Sequence, residues 1–409
     1  MELLSGYRIL DLTDDRGYFC GRVLGDLGAD VIKVEPPGGD RGRRRGPFYG
    51  FPHPERSLYF IFYNANKRGI TLDITKEDGR EILKELVKRA DAVVESFDVG
   101  FLERLGLSYE ELLKVNPRLI MTSITPFGEG VELKGGDGVL WAMGGMMYLS
   151  GDPDRAPVRV SFPQSYLHAS AYGALGTVIA LFWREMGGEG QHVVVSAEAC
   201  VAATLMNGAI FWDILGKNLK RAGQFRTGLS TSANQRLIWR CKDGEVNFPL
   251  FSGTTGARVS KTLVKWMDEV GLGDEYMRKK DWDSFDMAEA SQEEFDRIER
   301  ALSKFFGEFR MKELFEGAVS REIWLYPVST PKEIFEDEQL RARGFWEKVY
   351  HDELGKELTY PGSFAKLSGE SLKIRRRAPL IGEHNREIYC GELGLSEEEL
   401  EMLKEVGVI

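Results

Sequence analysis

The chain is poor in the residues that build metal sites and covalent frameworks. It carries four cysteines and five histidines in 409 residues. Cys20, Cys200, Cys241 and Cys390 lie far apart with no CxxC pair, which argues against a zinc site or a disulfide framework and fits a reducing compartment. No His, Cys and carboxylate grouping has ligand spacing, so no metal is expected. A surplus of basic residues is also missing. The net charge of −10 opposes the phosphate neutralisation that nucleic-acid binding needs, and no nucleic-acid partner is expected. No apolar run approaches the roughly 18 residues that span a bilayer, so no membrane partner is expected either. The opening MELLSGYRILDLT has an early acid, no basic n-region and no small-residue cleavage site. It does not read as a secretory signal, and the protein is expected in the cytoplasm. What is present is ordinary for a globular protein, with 43% hydrophobic and 29% charged residues. The length exceeds one ordinary core and points to two or more domains.

Residues Tyr7 to Thr13 alternate and are β-branched enough for a strand. GRVLGDLGAD reads as a helix ended by Gly28, and Val31 to Glu35 as a second strand. A second strand-helix-strand passage runs through Gly69 to Ile74, Gly79 to Ala90 and DAVVESF. YEELLKVNPRLIMTSITPFG adds a helix and a strand, punctuated by Asn116 and Pro117. Such repetition predicts an α/β fold with a parallel sheet covered on both faces. From Ser165 to about Trp183 an Ala- and Gly-rich helix is expected, followed by a strand and a long apolar helix in HVVVSAEACVAATLMNGAIFWDIL, all of it reading as buried. A polar, glycine-containing stretch from Lys217 to Ser232 marks a linker. A smaller domain should follow, with LIWRCKDGEVNFPL as a hairpin turning at Lys242-Asp243-Gly244 and charged helices over residues 258 to 317. The expected division is 1–220 for the first part of a large domain, 221–325 for a small one and 326–409 for a return to the first.

Five ordered blocks carry a resemblance across the chain: LGDLGADVIKVEPPGGD, YNANKRGITLDI, FLERLGLSYEELLKVNPRLI, GGMMYLSGDPDRAPVRV and APLIGEHNREI. Together they resemble family III CoA-transferases, which include the formyl-CoA, carnitine and benzylsuccinate CoA-transferases. The resemblance implies a Rossmann-like large domain, a smaller α+β domain and two chains interlocked as a dimer. It implies coenzyme A or an acyl-CoA as substrate, with a carboxylic acid as the other reactant. By position, Arg16, Gly17, Leu72, Ser96, Phe97, Arg104 and Lys134 match the family's CoA-contact places. The family usually has Asn where Ser96 stands and no acid at Asp98. Asn66, Lys67 and Arg68 belong to a common block. Arg41, Arg43, Arg44 and Arg45 form either a phosphate-meeting cluster, since guanidinium forks suit phosphate oxygens, or a solvated loop.

PVRVSFPQSYLHASAYGALGTVIAL departs from the family at one place: where an Asp carboxylate carries the acyl group, this chain has Tyr166. A carboxylate forms a mixed anhydride and then an enzyme-bound thioester, whereas a neutral phenol would give an unactivated ester. No catalytic residue is therefore assigned. His168 lies two residues on and points to another helix face, reading as a packed, hydrogen-bonded side chain. Asp152 and Asp154 sit in a turn, and Glu198 at a helix start. The His-Asp pair of the racemase branch is absent, with Gly136 in the histidine place before Asp137. Trp141, Met146, Met147, Tyr148, Phe211 and Trp212 would suit an apolar acyl group but read first as core. Three readings stay open. The chain is the non-catalytic subunit of a heteromeric CoA-transferase whose paralogous partner has the Asp, a homodimeric transferase using another carboxylate or mechanism, or an acyl-CoA-binding protein without turnover.

Overall fold

The computed structural model describes residues 3–205, 208–227, 233–368 and 372–409. The end of the expected linker, 228–232, lies outside the described residues. Six strands form one parallel sheet: β1 (Arg8–Asp11), β2 (Asp30–Glu35), β3 (Lys67–Thr71), β4 (Ala92–Glu95), β5 (Ile120–Thr125) and β6 (His192–Ser196). Their order, β3-β2-β1-β4-β5-β6, is that of a doubly wound sheet. The inner strands are buried along nearly their whole length, as strands covered on both faces must be. One apolar layer lies against the Glu77–Val87 and Tyr109–Val115 helices, the other against the Tyr18–Asp26 and Ser165–Glu185 helices.

The Ser165–Glu185 helix owes its close seating to small residues. Ala169, Gly173, Ala174, Thr177 and Ala180 are buried, and a Cβ on Gly176 would come within 2.7 Å of Val193. Its other face differs from expectation. Tyr172, Leu175, Ile179, Phe182, Trp183 and Met186 recur at helical spacing and are exposed, so this helix is not buried on several sides in the single chain. The long apolar helix expected after β6 is also two helices, Ala197–Thr204 and Gly208–Leu215, and the second buries none of its described side chains.

The chain divides into two compact units, Met1–Met146 with Val160–Gly216 and Glu338–Ile409, and Met147–Arg159 with Lys217–Asp337. The sequence reading put the segment 147–159 in the large domain; it clusters instead with the second unit. The reason is local: the Arg221 guanidinium donates to the carbonyls of Tyr148, Asp152 and Arg155 at 2.9, 3.3 and 3.2 Å. Within that unit the expected hairpin is present, with Ile238–Arg240 antiparallel to Glu245–Asn247, and Tyr326–Pro327 adds a third strand. The Gly253–Glu269, Gln292–Gly307 and Met311–Val319 helices close its core around Trp239, Phe248, Trp266, Phe305 and Phe306.

Buried charge ties the carboxyl end of β1, at Asp11, to the amino end of β3, at Lys67, and holds the carboxyl end of β2, at Glu35. Lys67 Nζ donates to Asp11 Oδ2 at 2.6 Å, Tyr18 O at 2.8 Å and Asn64 Oδ1 at 2.8 Å, and both members of the ion pair are fully buried. Burial alone would raise the Asp11 carboxyl, but Lys67 and Lys33 hold it below its ordinary value. Arg43 is equally buried. It makes two 2.7 Å bonds to Glu35, one of 2.7 Å to Glu55 and one of 2.9 Å to Pro379 O. Removing one partner strands a charge in the interior. Lys67→Met should therefore lose about 3–5 kcal/mol in urea-induced unfolding.

Candidate functional site

The site lies where a doubly wound sheet reverses, between the carboxyl ends of β1 and β4. The loop after β1 begins with Asp11 Oδ1 accepting from Thr13 N and Thr13 Oγ1 at 3.0 and 2.6 Å. It ends at Gly17, which precedes the Tyr18–Asp26 helix and must be glycine, since a Cβ would lie 2.5 Å from Thr13 Cγ2. Ser96, after β4, ties the two loops together: its Oγ accepts from Asp14 N and donates to Asp14 Oδ1, both at 2.9 Å.

Over these loops lies a cavity of about 530 Å³, lined by Arg16, Arg41, Arg45 and Lys134, by Asp15, Asp98 and Asp137, and by Tyr59, Tyr63, Phe162 and Tyr166. Its cations are held by acids. Arg16 bonds Asp14 and, at 3.0 Å, Asp98, which also lies 3.6 Å from Lys134. Arg41 pairs with Asp14 and Asp15 at 2.8 Å, while Arg45 pairs with Asp15 at 2.7 Å and stacks 4.5 Å over the Tyr59 ring. A second, mainly apolar cavity of about 290 Å³ is lined by Leu12, Val34, Leu72, Ile74, Phe97 and Phe101 and shares Arg41 with the first. Phe97 and Phe101 stack with centroids 4.7 Å apart. An apolar slot beside a basic chamber matches a ligand with a flat base at one end and phosphates next to it.

Tyr166 stands in the first turn of the Ser165–Glu185 helix and donates from its hydroxyl to Gly135 O at 2.6 Å. Burial pushes the phenol up to about 12 against the pull of Arg16, so it is neutral at pH 7. Two residues along the same glycine loop, Asp137 Oδ1 accepts from Gln164 N, Ser165 N and Ser165 Oγ, each at 2.8 Å. The loop and the helix start are thus fastened twice.

Arg16 and Lys134 line the first cavity and Leu72 and Phe97 the second, while Gly17 and Ser96 lie next to Arg16 and Phe97 in the chain and line neither. Arg104 is exposed on the Phe101–Arg104 helix and lines neither. The arginine cluster divides: Arg41 and Arg45 line the first cavity, Arg44 is exposed, and Arg43 is withdrawn from any phosphate by its pairs with Glu35 and Glu55. Asn66, Lys67 and Arg68 are structural. Asn66 bonds Asp26, Lys373 O and Arg375 N, and Arg68 pairs with Asp30, Glu387 and Glu392. His168 is packed, but its Nδ1 is buried with no hydrogen-bond partner among the described residues, contrary to expectation. Glu198 does sit in a first helical turn, and Asp152 and Asp154 belong to the second unit. Of the aromatic residues considered, Trp141 is core, while Tyr148 and Trp212 are exposed. Among the described residues no group of three or more His, Cys, Asp or Glu could hold a metal.

The sequence reading passed over Asp14, Asp15, Tyr59 and Tyr63. The acids flanking Arg16 in DLTDDRG were the available signal for the first pair, and the i, i+4 tyrosines of the Leu58–Tyr63 helix for the second.

A doubly wound α/β unit with a cleft at its switch point defines the class of α/β proteins whose ligands sit at the carboxyl ends of the strands. Residues 4–385 match the sequence model of CoA-transferase family III, and the chain belongs to that family. It is 36% identical to the succinyl-CoA:(R)-benzylsuccinate CoA-transferase subunit BbsE of Thauera aromatica, over 99% of this chain and 98% of that protein. It is 32% identical to the formyl-CoA:oxalate CoA-transferase of Streptomyces coelicolor, over 100% of this chain and 99% of that one. Among solved structures, a CAIB/BAIF family protein from Brucella suis aligns with a TM-score of 0.83 and 29% identity, covering 96% of this chain and 100% of that one.

Asp98 occupies two of the chamber's cations. With pyrophosphate as probe, Asp98→Asn should bind roughly two- to fivefold more tightly than the parent in calorimetric titration, the range an exposed pair is worth.

Proposed function

We propose that the chain is the non-catalytic subunit of a heteromeric CoA-transferase that moves CoA between an acyl-CoA thioester and a carboxylic acid. The observation that carries this reading is Tyr166. At the place where the family's acyl-carrying carboxylate is expected, a half-buried, neutral phenol is bonded to a backbone carbonyl at 2.6 Å. Such a group neither attacks a thioester nor leaves from an anhydride. Similarity to a protein named as a CoA-transferase subunit supports the same reading.

In this reading the apolar slot of Leu72, Phe97 and Phe101 takes the adenine. Arg16, Arg41 and Lys134 meet the phosphates, and the chamber beside Tyr166 faces the thioester end. Succinate, benzylsuccinate and oxalate, in the names of the two relatives, are all dicarboxylic acids, and the acid handled by the assembly is proposed to be of that class. Arg45 and the Tyr59 and Tyr63 rings offer the charge and the flat surface that a carboxylate with an apolar body requires. The exposed stripe from Tyr172 to Met186 supports an extensive contact with a second chain, interlocked as in the family and proposed to be a paralogue with Asp at the place of Tyr166. A cytoplasmic location is proposed on the same grounds as the enzyme class. Among the described residues no single helix is long and apolar enough to cross a membrane.

One observation favours a second reading. Asp137 lines the chamber and is a carboxylate, the kind of group a homodimeric enzyme would use in place of the missing one. Purified alone, the chain is expected to show no CoA transfer from succinyl-CoA to a dicarboxylic acid, and coexpression with an Asp-bearing paralogue is expected to restore it. Turnover by the lone chain that is abolished in Asp137→Asn would replace the first reading with the second.

A further inference from the structure

The glycine loop that Tyr166 and Asp137 fasten contains a residue whose lack of a side chain nothing in the fold requires. Gly136 lines the first cavity and is exposed. Its backbone is extended, with φ −87° and ψ 171°, a conformation any residue adopts. A Cβ built on it meets no atom within 4 Å among the described residues. Other glycines of the cleft differ. A Cβ on Gly135 would lie 3.1 Å from Leu140 and from Phe127, and one on Gly17 would lie 2.5 Å from Thr13. Packing accounts for those glycines and not for Gly136.

The helix that follows would also be better served by another residue. Gly136 is the N-cap of the Asp137–Met143 helix, and no side chain caps that helix. Ser, Asn or Asp in this extended conformation would accept a bond from a first-turn amide, and glycine loses more chain entropy on folding than any of them. The gap is also a fixed one, because the residues on either side are held. Gly135 O accepts from the Tyr166 hydroxyl at 2.6 Å, and Asp137 Oδ1 accepts from Gln164 N, Ser165 N and Ser165 Oγ, each at 2.8 Å. Glycine at this position is unfavourable for the helix end and for the chain entropy. What it leaves is room in the chamber wall beside Tyr166.

We propose that Gly136 is a specificity-determining residue, which leaves space for an apolar branch on the acyl group of a dicarboxylic acyl-CoA. This rests on the reading of the chamber as the place of the thioester end. The surroundings decide the chemistry of the branch. Pro126, Phe162, Pro163 and Leu167 line the same cavity and are apolar. The hydroxyl hydrogen of Tyr166 is already donated, and a carboxylate placed here would face the like charge of Asp137. The free carboxylate of the acid therefore belongs at Arg45, and the space at Gly136 takes the uncharged substituent. An unbranched acyl group leaves that space to water. The chain accordingly favours acids that carry an alkyl or aryl branch over unbranched ones.

The full chain, in the assembly in which it purifies, is titrated calorimetrically with CoA, succinyl-CoA and phenylsuccinyl-CoA. The parent should bind phenylsuccinyl-CoA at least as tightly as succinyl-CoA. In Gly136→Val the phenylsuccinyl compound should bind roughly tenfold or more weakly, while CoA and succinyl-CoA change by less than about twofold. Gly136→Ser, with a smaller side chain and a better N-cap, should fall between parent and Gly136→Val for the phenylsuccinyl compound without lowering the thermal midpoint. Failure of CoA itself to bind the parent would overturn the reading of the cleft and the assignment of Gly136 together. With CoA bound by the parent, an equal change for every ligand in Gly136→Val, or none for the phenylsuccinyl compound, would overturn the role of Gly136 alone. A parent that binds succinyl-CoA and rejects phenylsuccinyl-CoA would do the same. So would a lower thermal midpoint in Gly136→Ser, because the fold itself would then require the glycine.

Discussion

The buried pair between Lys67 and Asp11 is the constraint on which the cleft rests. β1 and β3 do not touch in the sheet, being separated by β2, yet the 2.6 Å bond joins the last residue of β1 to the first of β3. The same ammonium reaches the carbonyl of Tyr18 and the amide of Asn64, so one charge organises the loop after β1, the start of the next helix and the turn before β3. A buried ammonium has no tolerance for a missing partner, and this fixes the loop geometry more sharply than apolar packing would. Arg43 and Glu35 repeat the device at the end of β2.

On that base the chamber is built from cations matched by acids rather than from free ones. Arg16, Arg41 and Arg45 are preorganised by Asp14, Asp15 and Asp98, which places their guanidinium groups at the cost of part of their field. Tyr166 and Asp137 do for the glycine loop what these acids do for the arginines. The phenol and one oxygen of the carboxylate, Oδ1, both fasten the loop to the start of a helix.

Much of the sheet was legible because strands buried on both faces read as continuous apolar runs, and β2, β4 and β5 fall where those runs lie. β3 is displaced from the expected Gly69 to Ile74 toward Lys67 and Arg68 for a physical reason: charged residues conceal a strand from any hydropathy argument when their partners come from remote segments. The outer face of the Ser165–Glu185 helix failed in the opposite sense. An all-round apolar helix reads as core, and a single chain leaves one side of it exposed.

Sequence by itself determined the α/β alternation, the hairpin of the second unit, the family and the presence of Tyr166 where a carboxylate is expected, because each is a matter of local pattern or residue identity. Only the tertiary structure decided which of four consecutive-looking arginines face the chamber and which is consumed inside, and that Asp98 shares Arg16 with Asp14. It alone set Ser123 Oγ 2.9 Å from His192 Nε2. Those outcomes depend on distances between residues tens of positions apart, and pairing of charge across such separations leaves no periodicity to read.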